Sequence, residues 1–256
     1  MSFFNKVFAS LGIGAAKVDT KLEKSSYHAG EKMKGVVEIH GGNVEQHIDE
    51  IYLTIHTTYI RESDDKKWTD YATIEQIRIT ESFTIGPNEE KIIPFELQLP
   101  IDTPVTYGNT RVWVATGLDI KNAVDPKDQD YIEVKPNRLT DAVLSALTDL
   151  GFYLREVECK EAPHSLRKKY PFVQEFELIP VNGPFRGKLD ELEVMFFHHS
   201  TSECEIILEV DRRARGLGGF LAEALNLDES LIRLTIQESD VPKLTNNFQE
   251  IITRYT

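Results

Sequence analysis

From residue 16 onward the chain alternates. Ala16, Val18, Thr20 and Leu22 fall on one side of an extended segment, and Lys17, Asp19, Lys21 and Glu23 fall on the other. A period of two marks a strand with one face buried and one face wet. The same period runs through Ile51, Leu53 and Ile55, and again through Ile93, Phe95, Leu97 and Leu99. Turn chemistry separates these runs at Ala29-Gly30, Gly41-Gly42-Asn43, Gly86-Pro87-Asn88 and Tyr107-Gly108-Asn109. Short antiparallel strands joined by tight connections are predicted up to about residue 135, enough for one β-sandwich.

The period then changes. Leu139, Val143, Ala146, Leu147 and Leu150 recur at helical spacing, with Asn137 or Thr140 placed to cap the start and Gly151 to stop the end. Strand patterns resume over 152–159, 172–179, 189–198, 204–210 and 231–236. Val241, Leu244, Phe248, Ile251, Ile252 and Tyr255 step by three and four behind Asp240 and Pro242, so the chain closes on an amphipathic helix. Phe3, Phe4, Val7, Phe8 and Leu11 share one face of a short leading helix. Strands and helices do not alternate, which argues against a doubly wound α/β enzyme. The fold class expected is all-β: two antiparallel β-sandwich domains over residues 1–135 and 136–256, with short helices at the N-terminus, between the domains and at the C-terminus.

Composition narrows the function. The 256 residues are 41% hydrophobic and 28% charged, ordinary values for a globular chain, and the formal net charge is −13. Both halves carry an acidic excess. Such a field repels phosphates and anionic headgroups, so nucleic acid is not an expected partner. The leading segment lacks the basic start of a signal peptide, and no run is long and apolar enough to span a bilayer. No stable membrane insertion is expected, and the cytoplasm is the expected location. Cys159 and Cys204 form neither a disulfide framework nor a CxxC site.

Candidate chemistry is sparse. If Met33 to His40 and Glu50 to Thr58 form a hairpin, His40 and His56 stand roughly 20 Å apart, too far to share an ion. His198 and His199 are adjacent in a strand and point to opposite faces. Asp125, Asp128, Asp130 and Glu133 lack the spacing of a calcium loop and read as a solvated connection between strands. No nucleophile elbow, phosphate loop or zinc-protease signature is present, so neither catalytic residues nor a cofactor are expected.

The sharpest feature is Arg212-Arg213-Ala214-Arg215-Gly216-Leu217-Gly218-Gly219, between a strand pattern and a short helix over 220–226. Three guanidiniums beside flexible glycines suit the capture of an acidic or phosphorylated partner segment. The competing reading is a set of solvated arginines offsetting Asp211 and Glu223. The leading phenylalanines carry a similar pair of readings. Phe3, Phe4 and Phe8 cover a surface of this protein, or they dock on a partner. Arg212, Arg213, Arg215, Phe3, Phe4 and Phe8 are therefore the expected partner-binding residues.

Tyr27-His28-Ala29-Gly30-Glu31-Lys32-Met33-Lys34-Gly35-Val36-Val37-Glu38-Ile39, followed by Gly41-Gly42, Ile48, Ile51 and Leu53, resembles the opening strands of arrestin-like domains. Phe95 to Pro100, with Pro104 and Thr106, fits the same pattern. Nearly the whole chain, including the Arg212 to Phe220 segment, resembles the bacterial stage-zero sporulation-control family. That resemblance implies two arrestin-like sandwiches in a cytoplasmic regulator of sporulation, with no catalytic residues to carry over. The function expected is a noncatalytic regulatory or scaffold protein that binds other proteins. The alternative is a small-ligand-binding protein or hydrolase with a site between the domains. A homodimer joined through an edge strand or the terminal helices is the third arrangement.

Overall fold

The structure is a computed structural model and describes residues 15–63, 66–120, 127–211 and 231–255. Strands dominate, as expected. A three-stranded antiparallel sheet is built from β1 (Lys17–Leu22), β3 (Lys32–His40) and β7 (Glu90–Gln98), with β3 in the middle. Facing it is a sheet centred on β4 (Gln46–Ser63). Along one side β4 takes β5 (Lys66–Arg78) and β6 (Phe83–Ile85). Its other side takes β8 (Val112–Ile120), which continues into β9 (Lys127–Lys135) and β2 (Ser26–His28). Met33, Val37 and Ile39 of β3 and Ile51, Leu53 and Ile55 of β4 are fully buried between these layers.

Strands β3 and β4 therefore do not form the hairpin considered above. Their apolar faces meet across the sandwich, because each buries its own set of aliphatic and Met side chains against the opposite layer. His40 consequently sits beside Glu90 on β7, with Nδ1 3.4 Å from Oε1. The central Gly35 of β3 has a specific reason: a Cβ there would lie 2.5 Å from the Lys21 carbonyl oxygen and 2.7 Å from Phe95 Cζ. Only a hydrogen lets β1 close onto β3 over the Phe95 ring.

After β9 comes α1 (Arg138–Asp149). Asn137 caps it, its Oδ1 accepting from the backbone N–H groups of Leu139 and Thr140 at 3.0 Å each. Gly151 ends the helix with φ +92°, a left-handed stop. An antiparallel run follows: β10 (Phe152–Glu161), β11 (Phe172–Pro180), β12 (Glu191–His198), β13 (Glu203–Asp211) and β14 (Leu231–Gln237). Among the described residues, one face of this sheet is covered by helices. Leu139, Val143 and Leu147 of α1 join Leu244, Phe248 and Ile252 of α2 (Leu244–Thr253) in one core with Phe176, Leu192, Val194 and Ile206. The closing helix starts through a 3-10 segment, Glu238–Lys243, whose capping box joins Gln237 and Asp240 and which contains Pro242.

The other face carries a row of glutamates. Glu156, Glu177, Glu193 and Glu209 lie opposite one another on four successive strands. Arg155 pairs with Glu177 and, at 2.7 Å, with Glu191, while Lys160 pairs with the buried Glu175. Burial pushes the Glu175 carboxyl up, and Lys160 opposes that push.

The two halves of the chain are stitched together. β10 meets β4 in parallel at Lys160 and Ile60, which joins the strands around β4 and the β10–β14 run into one eleven-stranded sheet. Cys159 and Phe172 bury themselves in the first core, and Val105 packs against the second.

Candidate functional site

None of the six residues expected to bind partners lies among the described residues. Arg212, Arg213, Arg215, Phe3, Phe4 and Phe8 fall outside them, as do the leading helix and the helix over 220–226. Two other features stand out, and neither is legible as a motif.

The first is the outer face of the sheet centred on β4. Thr73, His56, Trp113 and Tyr131 lie opposite one another on β5, β4, β8 and β9, and Gln76, Thr54, Ala115 and Gln129 form the next row. Both rows are uncharged. Charge returns one row further on, at Arg78 and Lys127. The rings interlock: His56 is 5.3 Å from Trp113, Trp113 is 5.8 Å from Tyr131, and Tyr71 stands edge-on to His56 at 5.7 Å. Trp113 is thereby nearly buried, whereas Tyr71 and Tyr131 remain 64% and 60% exposed. Burial beneath these rings lowers the His56 pKa and favours the neutral imidazole. The outer face of the three-stranded sheet contrasts with this. There Lys21 pairs with Glu38 at 2.6 Å, Lys32 with Glu96 at 2.6 Å and Lys34 with Glu96 at 3.3 Å. In a chain this rich in charge, an uncharged aromatic sheet face is a local exception.

The second feature is a cleft of about 120 Å³ where the connection between β7 and β8 lies against α1, β11 and β12. Gln174 of β11 clamps that connection, its amide accepting from Val105 N at 2.9 Å and donating to Val105 O at 2.8 Å. Asp102 Oδ1 accepts from the His198 backbone N–H at 3.1 Å. His198 also meets α1, with Nε2 2.9 Å from Asn137 Nδ2 and 3.1 Å from Thr140 Oγ1. The Asn137 amide nitrogen is also 3.5 Å from Nδ1, and as a donor it favours the nearer Nε2 as its acceptor. Burial lowers the His198 pKa, which agrees with a neutral ring. β12 ends at His198, so the adjacent pair expected within one strand is split: His199 lies just past the strand, also borders the cleft, and has Nε2 3.9 Å from Glu205 Oε2.

Cys204 Sγ lies 4.0 Å from His198 Nε2, but this is a poor nucleophile and base pair. Burial pushes the thiol up to about 12, and Nε2 already accepts hydrogen bonds from α1. Among the described residues no group of three ligating side chains is placed to hold a metal. The acidic run resolves differently from the solvated loop expected. Asp128, Asp130 and Glu133 belong to β9, Asp125 lies outside the described residues, and Asp128 accepts from Thr20 N at 2.6 Å. Asp130 is half-buried beside Asp128 and Asp19, and desolvation with their charge raises its pKa to about 6.

A strand-dominated protein with a few packed helices, an uncharged aromatic sheet face and a small mixed cleft is the class the structure defines. The protein-family model described as SpoOM protein matches residues 4–214, and the chain belongs to that family. It is 46% identical over 258 residues to the sporulation-control protein spo0M of Bacillus subtilis (strain 168), covering 100% of this chain and 99% of that protein. The crystal structure of Spo0M from Bacillus subtilis superposes with a TM-score of 0.88 at 45% identity, covering 95% of this chain and all of that one. The resemblance to the sporulation-control family is therefore correct, and the strand-rich class is that of a solved relative. No helix among the described residues is long and apolar enough to cross a membrane.

Proposed function

We propose that the protein is a noncatalytic regulator of sporulation that works in the cytoplasm by contact with other proteins. Its relative is named as a sporulation-control protein, which supplies the process. One observation carries the mode of action: the two uncharged cross-strand rows, the first ending in exposed Tyr131, with exposed Tyr71 beside them. Protein-binding patches are depleted of charge and enriched in Tyr and Trp at their centres, and this face has both properties. Residues 1–135 and 136–256 are proposed as two arrestin-like domains. Arg212, Arg213 and Arg215, with Phe3, Phe4 and Phe8, are proposed as further partner contacts on their side-chain chemistry alone.

The test is complementation of a spore-forming host whose own copy has been deleted. A Tyr71→Ser/Tyr131→Ser variant is expected to keep its circular dichroism and fold, with a melting temperature lowered by a few degrees because both rings pack on Trp113. It is expected to lower spore frequency about tenfold, the effect of losing one modest hot spot. Full complementation by a stably accumulated variant overturns the assignment of this face.

A further inference from the structure

A groove crosses the uncharged sheet face over Thr54, Gln76, Ala115 and Gly117, and Gln129 continues its row on β9. Its floor is low, because Ala115 is small and nothing stands within 4 Å of where a Gly117 Cβ would be. One bank is aromatic, with His56 and Trp113 at its centre, Tyr71 toward β5 and Tyr131 toward β9. The exposed rings do not lie flat on Trp113: Tyr71 meets it at 57° and Tyr131 at 44°, so the bank is ridged and not a level platform. Polar groups line the groove and are unspent. Among the described residues the side-chain amides of Gln76 and Gln129 and the hydroxyls of Thr54, Tyr71 and Tyr131 make no hydrogen bond. Charge reaches the groove only at its edge, at Lys127.

Resting on the reading of this face as a protein contact, we infer that the groove binds a proline-rich segment of the partner in the polyproline II conformation. Its pyrrolidine rings pack on Tyr71, Trp113 and Tyr131, and its carbonyls accept from the Gln76 and Gln129 amides. Two successive uncharged rows offer nothing to pair with an acidic or basic segment. An amphipathic helix needs a groove that is hydrophobic throughout, and here amides and hydroxyls line it beside the rings. An added strand needs a free sheet edge, whereas this groove lies on a face. A polyproline II segment supplies both kinds of contact, since its rings suit an aromatic-lined groove and its backbone carbonyls have no internal hydrogen bond. Length agrees. β5 and β9 stand three interstrand spacings of about 4.8 Å apart, roughly 14 Å, which about five residues span at about 3.1 Å each.

Acetyl-decaproline amide is the probe, with a flexible Gly-Ser decapeptide and maltoheptaose as neutral controls, in titration calorimetry and amide NMR on the full chain. Decaproline is expected to bind with a Kd on the order of 100 µM and to shift the signals of Tyr71, Thr73, Trp113, Gln129 and Tyr131. Tyr131→Leu, which keeps apolar bulk without the flat ring, and Gln129→Leu should each weaken binding about fivefold, the loss of one aromatic contact or one hydrogen bond. Both positions are exposed, so both variants are expected to fold. Equal affinity for the Gly-Ser peptide, tighter binding of maltoheptaose, signal changes confined to other surfaces, or no decaproline binding at about 2 mM overturns the proposal. If decaproline fails while the Tyr71→Ser/Tyr131→Ser protein still loses spore frequency, the proline-rich partner is refuted and the face stands as a protein contact. Failure together with full complementation refutes both.

Discussion

Asn137 Nδ2 lies 2.9 Å from His198 Nε2, so the residue that caps α1 through its oxygen also ties that helix to the end of β12 through its nitrogen. One short amide thus satisfies two orphan backbone donors and one imidazole lone pair. The link stands at the rim of the junction cleft, where both halves of the chain contribute atoms.

Replacing Asn137 with Ala removes the cap and the imidazole's donor together. Urea denaturation should show a loss of about 2 kcal/mol, of which the cap supplies about half. Asn137→Asp keeps the cap but sets an acceptor against Nε2. NMR titration should therefore show the His198 pKa rising in that variant, and an unchanged value refutes Nε2 as the acceptor.

His198 also gives the fold a dependence on pH. Its folded pKa is lowered from 6.5 by burial, so the unfolded chain takes up the proton first as pH falls. The stabilising contribution is full above about pH 6.5 and is lost below it as the pH approaches the folded pKa. A His198→Gln variant should lose less stability than wild type between pH 7.5 and pH 5. Parallel melting curves for the two across that window contradict this account.

Asp130 acts in the opposite direction. Its folded pKa is raised from 3.8 to about 6, so its burden on the fold is absent below about pH 3.8 and grows as pH rises through 6. Asp130→Asn should raise the melting temperature at pH 7.5 and leave it unchanged near pH 3.5. A variant less stable at pH 7.5 shows that Asp130 is held by a contact stronger than its repulsion from Asp128 and Asp19.

Both thiols should be inert in the native protein. Cys159 and Cys204 are buried, and desolvation pushes each up to about 12. At pH 8 the thiolate fraction is about three orders of magnitude below that of a free cysteine, before access is considered. Ellman's reagent is expected to register neither thiol until denaturant is added and both thereafter.

Lys160 and Glu175 are both largely buried, with the lysine side chain 13% exposed and the glutamate 3%. Lys160→Met strands the carboxylate and should cost about 3–5 kcal/mol, whereas Lys160→Met with Glu175→Leu should recover most of that loss. A double variant as unstable as the single one places the cost in packing instead of charge.

How far the chain could be read follows from which facts are local. The alternation of Ile51, Leu53 and Ile55 with Tyr52, Thr54 and His56 determined that β4 is a strand buried on one face, because side chains of a strand alternate whatever lies beside it. Asn137, the 3.6-residue spacing behind it and Gly151 determined α1 and both its ends, since capping and the left-handed stop involve only neighbouring atoms. Partner choice is different. Nothing near His40 says that β3 pairs with β1 and β7 and only faces β4, and nothing near Asp128 says that a run of acids enters β9. Those outcomes depend on which distant apolar face each strand buries. The aromatic row exists only once the registers of β5, β4, β8 and β9 bring Thr73, His56, Trp113 and Tyr131 abreast. The cleft likewise needs Asp102, Lys169 and His198, far apart in the chain, to converge. Periodicity along the chain determined the elements, and long-range pairing decided the surfaces, because burial repeats locally while adjacency between strands is settled by the whole core at once.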